Sequence, residues 1–252
     1  MQQAEAEARS ETPTAEPPPG ATTSPAPAPT PTPTAQPGGE VVGLGGTDGG
    51  TGTFPNSPGL WERLSRDPVG NALAILVLVG MMGVVGSVAV TFRRAKVAPL
   101  PPWKTWAIPL LALVGAAVAG YLAYVETAEV TAVCGPVGDC NTVQQSDYAR
   151  IFGLLPVGTV GLIGYGAILV AWLVGQLARG TLASAAWLML FGMALAGTLF
   201  SIYLTFLEPF VIGATCAWCL TSAVLITVLL WITTPPGKQA ASYFLPITQN
   251  QQ

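Results

Sequence analysis

Five long stretches without a charged side chain constrain this chain more than any other feature. They are residues 69–92, 106–125, 154–178, 182–207 and 212–233. Each reaches the roughly 20 residues that a helix needs to cross about 30 Å of hydrocarbon. A water-soluble helix would carry polar residues along one face at a 3.6-residue period, and these stretches carry no such face. The sequence therefore predicts five membrane-spanning helices.

Small residues recur inside these stretches at spacings that suit helix packing in lipid. Gly158, Gly161 and Gly164 are one such series, and small side chains let helix backbones approach closely where no water drives association. We therefore expect an all-α membrane protein in which residues 104–233 form a four-helix transmembrane bundle. Residues 69–92 would add one further N-terminal transmembrane helix.

The two ends of the chain have a different composition. Residues 1–68 are rich in Pro, Thr and Gly, and such a composition cannot bury enough apolar surface to offset chain entropy. We predict a disordered, spacer-like tail there. The acidic extreme N-terminus, with no apolar core, does not resemble a signal peptide. Residues 234–252 are expected to form a short C-terminal tail.

The distribution of positive charge predicts the orientation, because cytoplasmic loops of membrane proteins are enriched in Lys and Arg. The connection between the first two stretches is basic, whereas the connection between the second and third is mainly acidic. The basic residues are Arg93, Arg94, Lys96 and Lys104, and the acidic ones are Glu126, Glu129, Asp139 and Asp147. The acidic connection and the N-terminal tail should therefore lie outside, and the C-terminus in the cytoplasm.

The composition also restricts the chemistry. The chain has no histidine, which excludes an imidazole base and any metal site built on histidine ligands. Its net charge of -3 and the lack of a basic patch argue against nucleic-acid binding. The four cysteines are therefore the candidate reactive groups.

All four cysteines fall on the side predicted to be extracytoplasmic. Cys134 and Cys140 lie in the acidic connection with five residues between them, and Cys216 and Cys219 form a Cys-Ala-Trp-Cys motif near the outer end of the last stretch. Disulfides persist in such an oxidising compartment. We therefore expect redox chemistry at this face of the membrane.

Three interpretations of the cysteines compete. Structural disulfides are one, but a bridge across two residues removes little entropy from the unfolded chain. A Cys₄ zinc site is another, although five intervening residues exceed the usual two to four of a ligand pair. The third is an electron relay between two redox-active pairs, which neighbouring thiols at a helix start favour. There Cys216 would lie near the N-cap, where the helix dipole favours a thiolate, and Cys219 one turn deeper.

The order of these motifs resembles the vitamin K epoxide reductase family in its bacterial branch. A wide cysteine pair is followed by Ser146, then by the segment from Tyr148 to Pro156, and finally by the Cys-x-x-Cys that opens the last span. The resemblance covers about residues 104–233. It implies a membrane thiol oxidase that takes electrons from a thioredoxin-like protein and delivers them to a quinone.

The resemblance also implies a role for each cysteine. Cys134 would meet the partner protein, and Cys140 would pass electrons on through a mixed disulfide with Cys216. Cys219 would lie next to the quinone, and Ser146 would match the family's loop serine near that site.

Two further features narrow this expectation. Ala223 stands where animal members of the family carry a tyrosine, which favours an ordinary respiratory quinone, ubiquinone or menaquinone, over an epoxide. The 19 residues after residue 233 are too few for the fused thioredoxin-like domain of many bacterial members. The resemblance therefore implies a thioredoxin-like partner acting in trans, at a bacterial inner membrane.

Overall fold

The computed structural model describes residues 59–94, 101–135, 138–151 and 153–244, and most of them are helical. The helices are α1 (Leu60–Arg66), α2 (Pro68–Arg93), α3 (Pro102–Ala128), α4 (Cys140–Gln144), α5 (Val157–Leu177), α6 (Thr181–Leu207) and α7 (Ala217–Phe244). A π-helical turn, Glu208–Ile212, continues α6, and a 3₁₀ turn, Asp147–Ala149, follows α4. Two short strands, β1 (Arg150–Ile151) and β2 (Leu155–Pro156), pair antiparallel before α5.

Five of these helices are long and apolar enough to cross a membrane. They are α2, α3, α5, α6 with its π-helical turn, and α7. The predicted all-α membrane fold is therefore confirmed. The helices extend beyond the uncharged stretches, so that Glu126 lies inside the end of α3 and Glu208 directly continues α6.

Helices α3, α5, α6 and α7 pack against one another as a four-helix bundle. Its centre contains Ile108, Tyr165, Leu190 and Leu229, which are almost fully buried. Helix α5 approaches α3 most closely at Gly158, where a Cβ atom would lie 2.5 Å from the backbone nitrogen of Ala123. Gly158 and Gly161, where a Cβ atom would lie 3.3 Å from that of Ala119, therefore act as helix contacts in the bundle, whereas Gly164 faces open space among the described residues.

Helix α2 packs on the outside of the bundle, against α6 and α7. Asp67 caps its first turn by accepting a hydrogen bond from the backbone of Gly70 at 3.0 Å, and Pro68 occupies the first helical position, which needs no donor. Val88 of α2 lies in a small apolar cluster with Phe191 and Leu230. The additional helix is thus a layer on one side of the bundle.

Both ends of the folded part differ from the expected limits. Residues 1–58 of the predicted tail and residues 245–252 lie outside the described residues, but 59–68 include the helix α1. This helix is held because the Arg63 guanidinium donates hydrogen bonds of 3.1 Å to the carbonyls of Phe210 and Val211.

The last helix likewise continues past residue 233, through Pro235 and Pro236, to Phe244. Lys238 anchors this extension, because its Nζ donates hydrogen bonds to the carbonyl oxygens of Thr91, at 2.8 Å, and of Arg94. Gly237 lies so close to Phe191 that a Cβ atom would come within 2.5 Å of its side chain. Tertiary contacts therefore hold a helical turn that the proline pair disfavours.

Candidate redox site

The four cysteines meet at one end of the bundle, where α3 and α6 end and α5 and α7 begin. Cys216 immediately precedes α7, as expected, and Cys219 lies in the first turn of that helix. The backbone N–H of Cys219 points to the Cys216 sulfur, with a nitrogen-to-sulfur distance of 3.3 Å. Cys140 is the first residue of α4, which lies over the start of α7.

The thiols neighbour one another in series. The Cys134 side chain interacts with that of Cys140, Cys140 with Cys216, and Cys216 with Cys219. None of the four is in a disulfide. The two inner members, Cys140 and Cys216, are 0% exposed, whereas Cys134 and Cys219 at the two ends are partly exposed. The arrangement is therefore continuous from the protein surface to the buried start of α7.

The loop that carries Cys134 and Cys140 is fastened to the helices by hydrogen bonds. Asp139 caps α4 by accepting from the backbone N–H of Thr142 at 3.2 Å and from its hydroxyl at 2.6 Å. The hydroxyl of Tyr121 accepts from the backbone N–H of Val133 at 2.8 Å, and the Trp218 indole donates to the Val133 carbonyl at 2.9 Å. The tryptophan between Cys216 and Cys219 thus joins the two cysteine segments.

Gly138 sets how closely the loop approaches the helix pair. Its φ of +88° is a left-handed conformation that other residues rarely adopt, and a Cβ atom there would collide with the carbonyl oxygen of Thr215. Glycine at this position therefore lets the loop lie directly on the residue before Cys216.

A buried acid and an amide surround the helix pair. Glu208, which is 2% exposed, accepts a hydrogen bond from the backbone N–H of Cys216 at 3.2 Å. The side-chain nitrogen of Gln144 lies 3.9 Å from the Cys216 sulfur and 3.8 Å from the Cys219 sulfur. Its oxygen is buried without a hydrogen-bond partner. Polar groups therefore contact both sulfurs of the Cys-Ala-Trp-Cys motif.

The environment of the two loop thiols, Cys134 and Cys140, favours their protonated forms. Loss of hydration on burial, helped by the hydrogen bond to Cys140, raises the pKa of Cys134 to about 11. The hydrogen bond to Cys216, followed by burial, raises the pKa of Cys140 well above the usual range of a thiol. When Cys134 and Cys140 are reduced, both are therefore protonated thiols and not thiolates.

The expected preference of Cys216 for the thiolate is not found. Its hydrogen bond with Cys140 lowers the pKa of Cys216, but the hydrogen bond with Cys219 and burial outweigh this effect and leave the pKa raised. The favourable start of α7 is not enough to stabilise a thiolate in so dry a position.

A narrow pocket of about 50 Å³ opens beside Cys219. Ser146, the predicted quinone-site residue, lines this pocket with Cys219, and its hydroxyl donates to the carbonyl of Val143 at 2.7 Å. Glu126, Gln144 and Glu208 supply further polar atoms, and the rest of the lining is mostly apolar. A second small pocket, of about 80 Å³, continues from Cys219 past Ala223.

A larger cavity of about 570 Å³, called the polar vestibule below, lies next to the narrow pocket. Its polar lining residues are Glu126, Glu129, Asn141, Gln144, Gln145, Ser146, Asp147 and Arg150. Arg150 lies 3.9 Å from the carboxylate of Glu129. The vestibule is therefore a wet, charged space that adjoins the mostly apolar pocket at Cys219.

Sequence reasoning missed three residues of this site, namely Glu126, Glu208 and Gln144. Each of the two acids follows directly on an uncharged stretch, where the sequence predicts a loop. Their position within one residue of such a stretch was the available signal, since an acid there can be drawn into the end of a spanning helix. Nothing in the sequence marks Gln144, which is placed by the short helix α4.

In the ranges that the structure describes, no group of three or more Cys, Asp or Glu side chains is arranged to hold a metal ion.

A comparison with models of protein families gives a match over the bundle. Residues 106–234, just over half of the chain, match the model of the vitamin K epoxide reductase family. The matched region contains all four cysteines, Ser146, helices α5 and α6, helix α3 from Trp106 onward and helix α7 as far as Thr234.

Proposed function

Because the chain belongs to the vitamin K epoxide reductase family, a family of membrane oxidoreductases linked to quinones, we propose that it is a quinone-dependent thiol oxidase that generates disulfides. The observation that carries this proposal is the series of four neighbouring thiols, which begins at the partly exposed Cys134 and ends at the pocket beside Cys219. Such a series passes electrons by successive exchange of disulfides.

The first half of the reaction oxidises the partner. A thiolate of a reduced partner protein attacks the Cys134 sulfur of a Cys134–Cys140 disulfide, and Cys140 leaves as a thiolate. The second thiol of the partner then attacks the mixed disulfide, which releases the oxidised partner and a Cys134 thiol. The partial exposure of Cys134 and the full burial of Cys140 support this order of contact.

The second half returns the electrons to the membrane. Cys140 attacks Cys216 of a Cys216–Cys219 disulfide and releases Cys219, and Cys134 then closes the loop disulfide again by releasing Cys216. The resulting Cys216–Cys219 dithiol gives two electrons and two protons to a quinone and becomes a disulfide. The quinone becomes a quinol, so that one partner disulfide is formed for each quinone reduced.

The pocket beside Cys219 supports a respiratory quinone, ubiquinone or menaquinone, as the acceptor. Ser146 and Cys219 meet in it, and Ala223 lines the adjoining pocket without a hydroxyl that could contact an epoxide. This chemistry requires a dithiol partner, and we propose a thioredoxin-like protein acting in trans. The predicted orientation places the cysteines and the N-terminus on the extracytoplasmic side of a bacterial inner membrane, with the C-terminus in the cytoplasm.

Redox cycling of the cysteines tests the proposal. The purified protein in lipid nanodiscs is treated with dithiothreitol, then with a quinone, and its free thiols are counted with a mass-tagged maleimide. We expect four tagged thiols after reduction and none after reoxidation by the quinone. Cysteines that stay oxidised throughout would identify a scaffold with structural disulfides, and stoichiometric zinc would identify a Cys₄ metal site.

Single substitutions test the order of the relay. Cys219→Ala should abolish quinone reduction with any thiol donor, because no disulfide can form next to the pocket. Cys134→Ala should abolish turnover with a thioredoxin-like protein, whereas a small thiol that attacks the partly exposed Cys219 of the Cys216–Cys219 disulfide should still support quinone reduction. Equal and small losses from both substitutions would contradict the assigned roles.

A further inference from the structure

Glu126 lies where the polar vestibule and the narrow pocket meet. It lines both cavities, and Gln144 and Ser146 are the other polar residues that do so. Of these three side chains, only that of Glu126 is an acid that can take up and release a proton. A carboxyl group therefore stands between the wet space and the position next to Cys219.

The start of α5 holds this carboxyl in place. The backbone N–H of Gly158, in the first turn of α5, donates to Oε2 of Glu126 at 2.9 Å. The close contact between Gly158 and the backbone of Ala123 fixes that turn against α3. A helix N-terminus stabilises an anion, so that Glu126 can carry a charge although it is only 8% exposed.

The proposed reaction needs such a group. Oxidation of the Cys216–Cys219 dithiol releases two protons, and reduction of a quinone to a quinol consumes two. The pocket beside Cys219 is mostly apolar, and its few polar side chains are the protein groups placed to move protons between the thiols and the quinone oxygens.

A second carboxyl, Glu208, lines the same pocket but does not line the vestibule. Each acid accepts one backbone N–H, Glu208 that of Cys216 and Glu126 that of Gly158. Glu208 holds the start of α7 in place, whereas Glu126 faces both water and the reacting thiol.

We propose that Glu126 is the acid–base residue of the quinone step. This inference rests on the proposed function. The Glu126 carboxylate accepts the proton of the Cys219 thiol as the sulfur of Cys219 gives up electrons and bonds to that of Cys216. The resulting carboxylic acid then donates this proton to a quinone oxygen, while the Cys216 proton goes to the other oxygen. This donation returns Glu126 to its carboxylate form for the next turnover.

The charged groups around Glu126 lie on several elements. Arg150 of β1 is the nearest cation, and Glu129 and Asp147 add negative charge on the vestibule side. Cys219 of α7 and Glu208 face it from the pocket side. The pH response of the quinone step therefore belongs to this group of residues, and only removal of the Glu126 carboxyl isolates its own part.

The substitution Glu126→Gln tests the inference, because glutamine keeps the shape and can still accept the hydrogen bond of Gly158. The fully reduced protein is mixed with a quinone in a stopped-flow instrument, and quinol formation is followed between pH 5.5 and 9 in H₂O and D₂O. We expect the rate to fall by about 100-fold, within the range of general acid–base catalysis. The pH dependence and the solvent isotope effect of the wild-type protein should also be lost.

Three controls show whether the loss of rate belongs to the Glu126 carboxyl and to the quinone step. Glu129→Gln removes a carboxyl that lines the vestibule only and should change the rate by less than about twofold, as expected of a surface charge. Glu126→Asp retains an acid and should restore part of the rate together with a pH dependence. Disulfide exchange between Cys140 and Cys216, measured by thiol labelling without a quinone, should be the same in Glu126→Gln and wild type.

Several results would overturn the inference. One is quinol formation in Glu126→Gln at the wild-type rate and with the wild-type pH profile. Another is an exchange between Cys140 and Cys216 that slows in Glu126→Gln as much as quinol formation does. A third is a slower quinol formation in Glu208→Gln but not in Glu126→Gln. A wild-type quinone step with neither pH dependence nor solvent isotope effect would also do so, even if Glu126→Gln failed to fold. A wild-type protein that reduces no quinone would instead refute the proposed function.

Discussion

The loop pair, Cys134 and Cys140, and the helix pair, Cys216 and Cys219, are held in different ways. Five residues separate the two cysteines of the loop pair, and Cys134 is partly exposed. The helix pair lies across the first turn of α7, where a buried acid, an amide nitrogen and backbone donors surround the sulfurs. The loop pair is therefore accessible at its outer cysteine, whereas polar groups of the bundle hold the helix pair.

This difference suits a relay in which one pair carries electrons to the other. Exchange between disulfides requires three sulfur atoms to come nearly into line, so that one partner must adjust while the other keeps its geometry. The loop pair must also meet a second protein, and the helix pair must stay next to a small pocket. The partly exposed Cys134 makes the loop pair the one that can meet the second protein.

The largest expected effect comes from spoiling the contact between the two pairs. In Gly138→Ala, the added Cβ would collide with the Thr215 carbonyl and would force φ out of the left-handed region. We expect disulfide formation between Cys140 and Cys216 to slow by about 100-fold, since a small misplacement of reacting groups costs about that factor. The rate is measured in a protein that retains only these two cysteines.

Gly135→Ala is the matched control for that substitution. A Cβ at Gly135 meets no atom within 4 Å, so the rate should stay near the unsubstituted value. A similar loss of rate in both variants would show that the flexibility of the loop, and not the close packing of Gly138 on the Thr215 carbonyl, limits the exchange.

The second prediction concerns the hydrogen bonds that hold Thr215, the residue before the helix pair. Asn71 of α2 is 1% exposed, donates to the carbonyls of Arg63 and Leu64 at 3.2 Å, and accepts from the Thr215 hydroxyl at 3.1 Å. Asn71→Ala leaves these buried groups without partners and should cost about 2–3 kcal/mol of stability. The measurement is the unfolding temperature in detergent.

Thr215→Val removes only one of these hydrogen bonds and should cost about 1 kcal/mol. A double substitution should then cost less than the sum of the two single ones, because both remove the same contact. Strict additivity would show that the Asn71–Thr215 contact contributes nothing to the start of α7.

The third prediction compares the reactivity of the pairs. With a pKa of about 11, the thiolate fraction of Cys134 should rise about tenfold per pH unit between pH 8 and 10. Its alkylation by iodoacetamide in the reduced protein, followed by mass spectrometry of its peptide, should rise in parallel. The fully buried Cys216 should stay unlabelled until the protein is denatured. Equal labelling of both would contradict the difference in access.

The smallest effect is expected at the cap of α4. Hydrogen bonds from the side chain and then the backbone of Thr142 lower the pKa of Asp139 below its usual value of 3.8. The ionised cap therefore stabilises the protein above about pH 4, and this contribution is lost as the pH falls through the lowered pKa. Asp139→Asn should remove at most about 1 kcal/mol at pH 7.

Melting curves between pH 3 and 7 check this prediction. The difference between wild type and Asp139→Asn should shrink as the pH falls below 4. A difference that grows under acid conditions would show that Asp139 is not an ionised cap.

The spans and the placement of the cysteines could be predicted because both depend on local sequence. Absence of charge over some 20 residues determines a membrane helix whatever its neighbours, and the Cys-Ala-Trp-Cys motif lies at the boundary of such a stretch. The match to the vitamin K epoxide reductase family agrees with the resemblance seen in the motifs.

The parts that could not be predicted depend on contacts between distant residues. Helix α1 needs Phe210 and Val211 to hold Arg63, about 150 residues away, and the end of α7 needs α2 to hold Lys238. Glu126 and Glu208 are acids beside apolar stretches in the sequence. Only the packing of α3, α5, α6 and α7 turns them towards one cavity.

Helix α2 is fastened to the bundle at both of its ends. Asn71 bonds Thr215, the residue before Cys216, at one end, and Lys238 bonds the carbonyls of Thr91 and Arg94 at the other. All residues of α2 lie outside the segment that matches the family. The segment that matches the family is therefore smaller than the folded part of this chain, which also includes α2 and its contacts with the bundle. A chain cut at residue 106 would keep every cysteine but would lose the brace beside Cys216.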